Sequence, residues 1–160
     1  MLSIQISDIK DFMSHLLSKD TFDHFYFIEA SIKMGVSYQI QGRINEGFYD
    51  TSVEQTLNRE FCYWKEIRHR IFDIIKGKRL PLSCKIVLGL SKQSISYLIA
   101  HNNSFFREED IEGIYVNILY DPKNLLITTG ISYKNFSLDK SLEYAFDEYL
   151  AKFLKEKAVI

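Results

Sequence analysis

Apolar and polar residues alternate from the first residues of the chain. Leu2, Ile4 and Ile6 interleave with Ser3 and Gln5, the period-two pattern of a half-buried strand. Ile9, Phe12, Met13, Leu16 and Leu17 follow at i, i+3, i+4, i+7 and i+8, predicting an amphipathic helix of two to three turns with Ser7 as its N-cap. Between Phe25 and Met34 the period returns to two, with Tyr26, Ile28, Ala30 and Ile32 apolar and Glu29, Ser31 and Lys33 polar. Beyond Gly35, Val36, Tyr38 and Ile40 alternate with Ser37, Gln39 and Gln41, which completes a hairpin with one buried face and one wet face. Residues 45–57 read as a loop. Trp64, Ile67, Ile71 and Ile74 then mark a long helix, with Lys76 in its last turn, Gly77 at the left-handed C′ position and Pro81 beyond.

The same order of elements runs a second time. Ile86, Leu88 and Leu90 match Leu2, Ile4 and Ile6 at an offset of 84, and Ser91 matches the predicted cap Ser7 at that offset. Ile95, Leu98 and Ile99 match Ile9, Phe12 and Met13 at an offset of 86, and Ile114, Val116, Ile118 and Tyr120 match Tyr26, Ile28, Ala30 and Ile32 at an offset of 88. Asp121-Pro122-Lys123-Asn124 is a turn signal. Leu125, Ile127, Thr129, Ile131 and Tyr133 form the returning strand, and Leu142, Phe146, Tyr149, Leu150 and Phe153 a closing helix. The offset drifts only where one element passes into the next, as loop insertions produce. Duplication accounts for this, and so does the commonness of strand–helix–hairpin units.

These elements do not alternate as β-α-β-α, so the class is α+β with mostly antiparallel pairing in a single domain over residues 1–160. Two architectures fit. In the favoured one, pseudo-repeated β-α-β-β-α halves, about 1–77 and 83–160, make one sheet backed by helices, weakly similar to the domains of DNA sliding clamps. In the alternative, residues 2–90 form a ferredoxin-like βαββαβ unit with a C-terminal extension. The first is favoured because Ile86–Leu90 leads at once into its own capped helix.

Composition narrows the function classes more than it selects one. A hydrophobic content of 46% and a charged content of 26% are ordinary globular values. The opening Met1-Leu2-Ser3-Ile4-Gln5-Ile6 has no basic segment followed by an apolar stretch, so no secretory leader is expected. The aliphatic run Ile86-Val87-Leu88-Gly89-Leu90 is too short to span a bilayer, and no membrane association is expected. Cys62 and Cys84 lack CxxC spacing and read as reduced, packed thiols, consistent with a cytoplasmic protein. The net charge of −1 offers no global attraction to nucleic acid, yet the window from Tyr63 to Lys85 holds seven cations and two anions.

That window contains the sharpest candidate site. Lys76-Gly77-Lys78-Arg79, with Arg68 and Arg70 upstream, could offer cations to phosphate. Against this, cations at a helix C-terminus already answer the negative end of the dipole, and amide-based anion sites use helix N-termini. Arg68 and Arg70, two positions apart, point roughly 200° from each other on a helix. Phe25-Tyr26-Phe27 invites comparison with RNA-stacking strands, but the basic-Gly-aromatic motif is missing. Phe48-Tyr49-Asp50 and Phe105-Phe106 are loop pairs expected to fold down on the core, and Glu108, Glu109 and Asp110 a solvated turn or short helix. Gly130, after Thr128 and Thr129, suggests a bulge or a close backbone approach within the last strand. His15, His24, His69 and His101 have no metal-ligand spacing, and no nucleophile elbow, P-loop or dinucleotide-binding turn is present. No catalytic residue, metal or cofactor is therefore assigned.

Several stretches resemble a bacterial protein family of unknown function: Phe48-Tyr49-Asp50-Thr51, Lys76-Gly77-Lys78-Arg79 with Pro81-Leu82-Ser83 and Lys85-Ile86-Val87, Asn117-Ile118 with Tyr120-Asp121, Thr128-Thr129-Gly130, and Leu138-Asp139-Lys140-Ser141-Leu142-Glu143. The resemblance spans the whole chain and implies a single uncharacterised domain, with no activity attached. The leading functional reading is a non-enzymatic binding or scaffold module with a protein partner. It also self-associates through the second hairpin, whose face opposite the core carries Tyr115, Leu119 and Leu126. A nucleic-acid-associated protein using the basic 65–85 segment is the alternative, and an enzyme of a class without linear motifs the third.

Overall fold

The computed structural model describes residues 1–49, 59–102 and 105–160. Among these the chain forms β1 (Ser3–Gln5), α1 (Ile9–Leu17), β2 (Tyr26–Lys33), β3 (Ser37–Gln41), α2 (Trp64–Ile75), β4 (Ser83–Gly89), α3 (Lys92–His101), β5 (Ile111–Tyr120), β6 (Leu125–Tyr133) and α4 (Ser141–Glu156). Single 3₁₀ turns at Glu46–Phe48 and Glu108–Asp110 complete the order. The class is α+β, as the hydrophobic pattern predicts.

The strands form one sheet in the order β1-β6-β5-β4-β2-β3, with every neighbouring pair antiparallel. A ferredoxin-like unit over residues 2–90 would seat β1 beside strands of its own unit, but β1 is an edge strand paired only with β6, so that alternative fails. The linear order of elements recurs in the two halves, whereas their pairing differs. β4 lies beside its own hairpin strand β5 and also beside β2. Strand length explains the asymmetry: β4 pairs seven residues along the free edge of β2, while β1 pairs three with β6.

The inner face of the sheet is a set of apolar rows. One row crosses the sheet as Ala30, Ile86, Ile118, Ile127 and Ile4, the next as Ile32, Cys84, Tyr120 and Leu125. Phe12 and Leu16 of α1, Trp64 and Ile71 of α2, Leu98 of α3 and Leu142, Phe146, Leu150 and Leu154 of α4 pack on these rows in one continuous core. The N-termini of α1 and α3 are capped by side chains. Ser91 Oγ accepts from Ser94 N at 3.2 Å, as predicted, whereas α1 is capped by Asp8, whose carboxylate accepts from Asp11 N at 3.0 Å, in place of Ser7. Gly77 has φ of 145°, the positive value expected of the residue that ends α2.

The first hairpin departs from its predicted phase. The register shifts between Phe27 and Glu29, so Ile28 is an extra, bulged residue. Before it the odd positions Phe25 and Phe27 enter the core, and after it the even positions Ala30 and Ile32 do. Tyr26 is also buried, against Phe61 and Tyr63 with ring centroids 6.1 and 5.3 Å away. The chain crosses back over this bulge at Gly42, whose N–H donates to Ile28 O at 2.8 Å and whose carbonyl accepts from Cys62 N at 2.9 Å. A Cβ at Gly42 would stand 1.8 Å from Phe27 O, so only glycine admits this crossing.

The second hairpin has the predicted extent and inner face, with Ile114, Val116, Ile118 and Tyr120 all buried. Gly130 is a regular β6 residue opposite Tyr115 with open space beside it, not the expected bulge or close approach. The neighbouring Thr129 does more: its buried hydroxyl accepts from Leu2 N at 2.8 Å and donates to Asp147 Oδ1 at 2.6 Å, tying β1, β6 and α4 together.

Two glycine substitutions separate these cases. Gly42→Ala should cost about 2–3 kcal/mol through clash and lost backbone bonds. Gly130→Ala should be neutral or stabilising by up to about 1 kcal/mol. Urea unfolding of the two variants measures both.

Candidate functional site

The last turn of an α-helix leaves carbonyl groups without partners inside the helix. At the end of α1 these are met by side chains of α2. Trp64, fully buried, donates its indole Nε1–H to Leu16 O at 2.7 Å. One turn on, Arg68 donates to Leu17 O at 3.4 Å and to both oxygens of Asp23 at 2.7 and 3.3 Å. His15, also buried, shares a hydrogen bond between its Nδ1 and Thr21 Oγ1 at 2.8 Å, with Asp11 Oδ2 at 3.7 Å from its other ring nitrogen. α1 and α2 are thereby joined side by side at one end.

Between them lies an open groove of about 530 Å³. Ile9, Met13 and Leu17 of α1 form one wall and Phe72 and Ile75 of α2 the other. Leu80 and Pro81 of the following loop and Tyr120 and Pro122 at the end of β5 close it. The charged side chains of this lining are Lys10 and Lys76, with no carboxylate among them. Phe72 and Leu80 keep 39% and 68% of their surface exposed, so the groove leaves large apolar groups in water.

The predicted anion-contact residues have different surroundings. Lys76 stands on the groove, with its ammonium 3.0 Å from Asp73 Oδ1. Lys78 and Arg79 are exposed on the loop that follows. Arg70 is exposed but roughly 160° around α2 from Phe72, away from the groove. Arg68 is spent on Asp23 and the end of α1, with only 13% of its side chain exposed. The predicted stripe of α1, Ile9, Phe12, Met13, Leu16 and Leu17, faces the core: Phe12, Leu16 and Leu17 are buried, and Ile9 and Met13, half-buried, pack against it and also line the groove.

Other candidates are accounted for by packing. Phe25 and Phe27 are buried, which removes the stacking strand. Phe106 lies on Tyr133 with centroids 5.0 Å apart, while Phe48 and Phe105 stay exposed instead of capping the core. Asp50 and Thr51 lie outside the described residues. Glu108–Asp110 is a short 3₁₀ turn, as expected. Cys62 and Cys84 are free thiols, and burial raises both above the usual range, Cys84 to about 12. Among the described residues, no group of three His, Cys, Asp or Glu side chains is placed to hold a metal ion, and no helix is long and apolar enough to cross a membrane. A second opening of about 620 Å³ is lined by Arg43 and Arg59. Both are already paired, Arg43 with Glu60 and Arg59 with Glu66 at 2.6 and 2.8 Å, and the Arg59 guanidinium holds the Glu66 carboxyl below its usual range.

A family model described as a family of unknown function, DUF5721, matches residues 15–160. The chain belongs to DUF5721. No curated protein and no solved structure matches it. In this DUF5721 chain the matched span takes in all of α2 and the loop after it and begins within α1 at His15. The Trp64 and Arg68 bonds to the end of α1 lie wholly inside that span.

The different duties of the two arginines are measurable. Arg68→Ala should lower stability by about 2–3 kcal/mol, because it strands a partly buried carboxylate and a helix-end carbonyl. Arg70→Ala should change stability by less than about 0.5 kcal/mol. Denaturant titration at neutral pH compares them directly.

Proposed function

We propose that this chain is a non-enzymatic binding module and that its working surface is the groove between α1 and α2. The observation that supports this reading is the combination of an open apolar floor with a rim of Lys10 and Lys76 and no lining carboxylate. A solvated surface gains nothing from leaving Phe72 and Leu80 in water, whereas a bound apolar anion would cover them and meet Lys10 and Lys76, the latter only partly answered by the exposed Asp73. Lys78 and Arg79 extend the same positive field along the loop.

The competing reading is nucleic-acid association through Lys78, Arg79 and Arg70. It is favoured by the absence of any carboxylate partner for these three among the described residues. It is weakened by the commitment of Arg68 to Asp23 and by a groove floor made of aliphatic and aromatic carbon. Phosphate-driven binding needs several cations converging on one backbone, and Arg68 is withdrawn from that set by Asp23.

A titration of the folded protein with 8-anilinonaphthalene-1-sulfonate, an apolar anion, tests the groove. Saturable fluorescence enhancement is expected, and the double variant Leu80→Asp/Phe72→Gln should weaken it about tenfold, the equivalent of ~1.4 kcal/mol. Circular dichroism checks that the variant is folded, and unchanged dye affinity in the folded variant would sink the reading. A 20-nucleotide strand titrated across a salt series tests the rival. Binding that falls steeply with salt and disappears in Lys78→Glu/Arg79→Glu would establish nucleic-acid association instead.

A further inference from the structure

We infer that the occupant of the groove is an acidic amphipathic helix presented by a partner protein, an inference that rests on the groove being the binding surface. Its length is that of a short helix. The α1 wall runs the length of the helix from Ile9 to Leu17, and its nine residues extend about 13.5 Å, or two and a half turns. Its walls are the flanks of two helices, so a third helix laid between them would meet apolar side chains spaced at i, i+3, i+4 and i+7, the usual anchors of helix-in-groove recognition. Ser14 and Ser18 on the α1 side are small, which lets an incoming backbone approach closely.

Charge selects among helices. Lys10 on one wall and Lys76 on the other carry the lining charge. Asp73, which meets Lys76, is itself 65% exposed and leaves that lysine open to a second carboxylate. An amphipathic helix with Leu or Phe anchors and Asp or Glu flanks would cover Phe72 and Leu80 while its carboxylates reach both walls. A basic helix would bring cations against Lys10, Lys76, Lys78 and Arg79. Solvent exposure argues against a lipid chain. Small-molecule sites enclose most of their ligand, whereas Phe72 and Leu80 of this groove stand exposed to water.

Three fluorescein-labelled 14-residue peptides test the inference with the full chain. The first carries Leu at helical anchor spacing with Glu flanks, the second the same Leu positions with Lys flanks, and the third the residues of the first in scrambled order. The Leu/Glu peptide should bind saturably, displace the naphthalene sulfonate dye and shift the Met13 methyl and Leu80 amide resonances. The other two should bind at least about tenfold more weakly. Lys10→Glu/Lys76→Glu, two exposed positions, should reverse the preference between the Glu and Lys peptides. Equal or tighter binding of the Lys peptide, or of the scrambled one, would overturn the acidic helix while leaving the groove as a binding surface. Dye displacement by palmitate or by the oligonucleotide but not by the Leu/Glu peptide would overturn it in favour of those occupants. Dimerisation in sedimentation that Leu80→Asp abolishes would assign the groove to a second copy of the chain. Failure of the dye itself to bind would remove the underlying reading.

Discussion

The unpaired carbonyls at the end of α1 set the arrangement of everything around the groove. A buried carbonyl without a donor costs about 1–3 kcal/mol, so the end of α1 must lie where donors exist. Trp64 and Arg68 supply them, and both stand on α2. Trp64 also packs on Phe27 with ring centroids 5.7 Å apart, so the residue that joins the helices also joins them to the sheet. Asp23, in the turn before β2, completes the junction by pairing with Arg68. Once these bonds hold the two helices together at one end, the groove between their flanks follows from their width. Of the apolar residues around it, Phe72 and Leu80 are left in water, while Leu17 is buried and Ile9, Met13 and Ile75 pack against the core.

The same end of the molecule shows why local pattern and final packing part company at β2. Alternation along a strand assigns faces only while the ladder is unbroken. One extra residue reverses the assignment for everything on one side of it. Ile28 is that residue, and it lets Phe27 reach Trp64 while Ala30 and Ile32 still meet Ile86 and Cys84. The backbone of Gly42 and Cys62 supplies hydrogen-bond partners to the bulged segment, which explains why a side chain at residue 42 has no room. The second hairpin has no such crossing over it, and its predicted alternation survives from Ile114 to Tyr120.

Charge was redistributed by the fold in a way linear proximity does not show. Within the basic window Arg68 and Arg70 are near neighbours in the chain, yet one is a cap and counter-ion of another element and the other an exposed surface group. Lys76 joins the groove only because α1 comes alongside the end of α2, bringing Lys10 with it. The basic segment and the greasy edge of the first helix, separate features along the chain, thus become parts of one surface.

Sequence periodicity by itself determined the element order, the α+β class, the Ser91 cap, the positive φ at Gly77 and the inner face of the second hairpin, because these depend on neighbours within a few residues. It located Lys76, Lys78 and Arg79 without their context. It carried no sign of the strand order, the bulge at Ile28, the service of Arg68 or the groove. Each of those depends on pairing between distant segments: β1 with β6, Gly42 with Ile28, Arg68 with Asp23, α1 with α2. Edge availability, backbone hydrogen-bond satisfaction and the burial of helix ends decide such pairings. These are properties of the assembled chain, and only the tertiary structure could decide them.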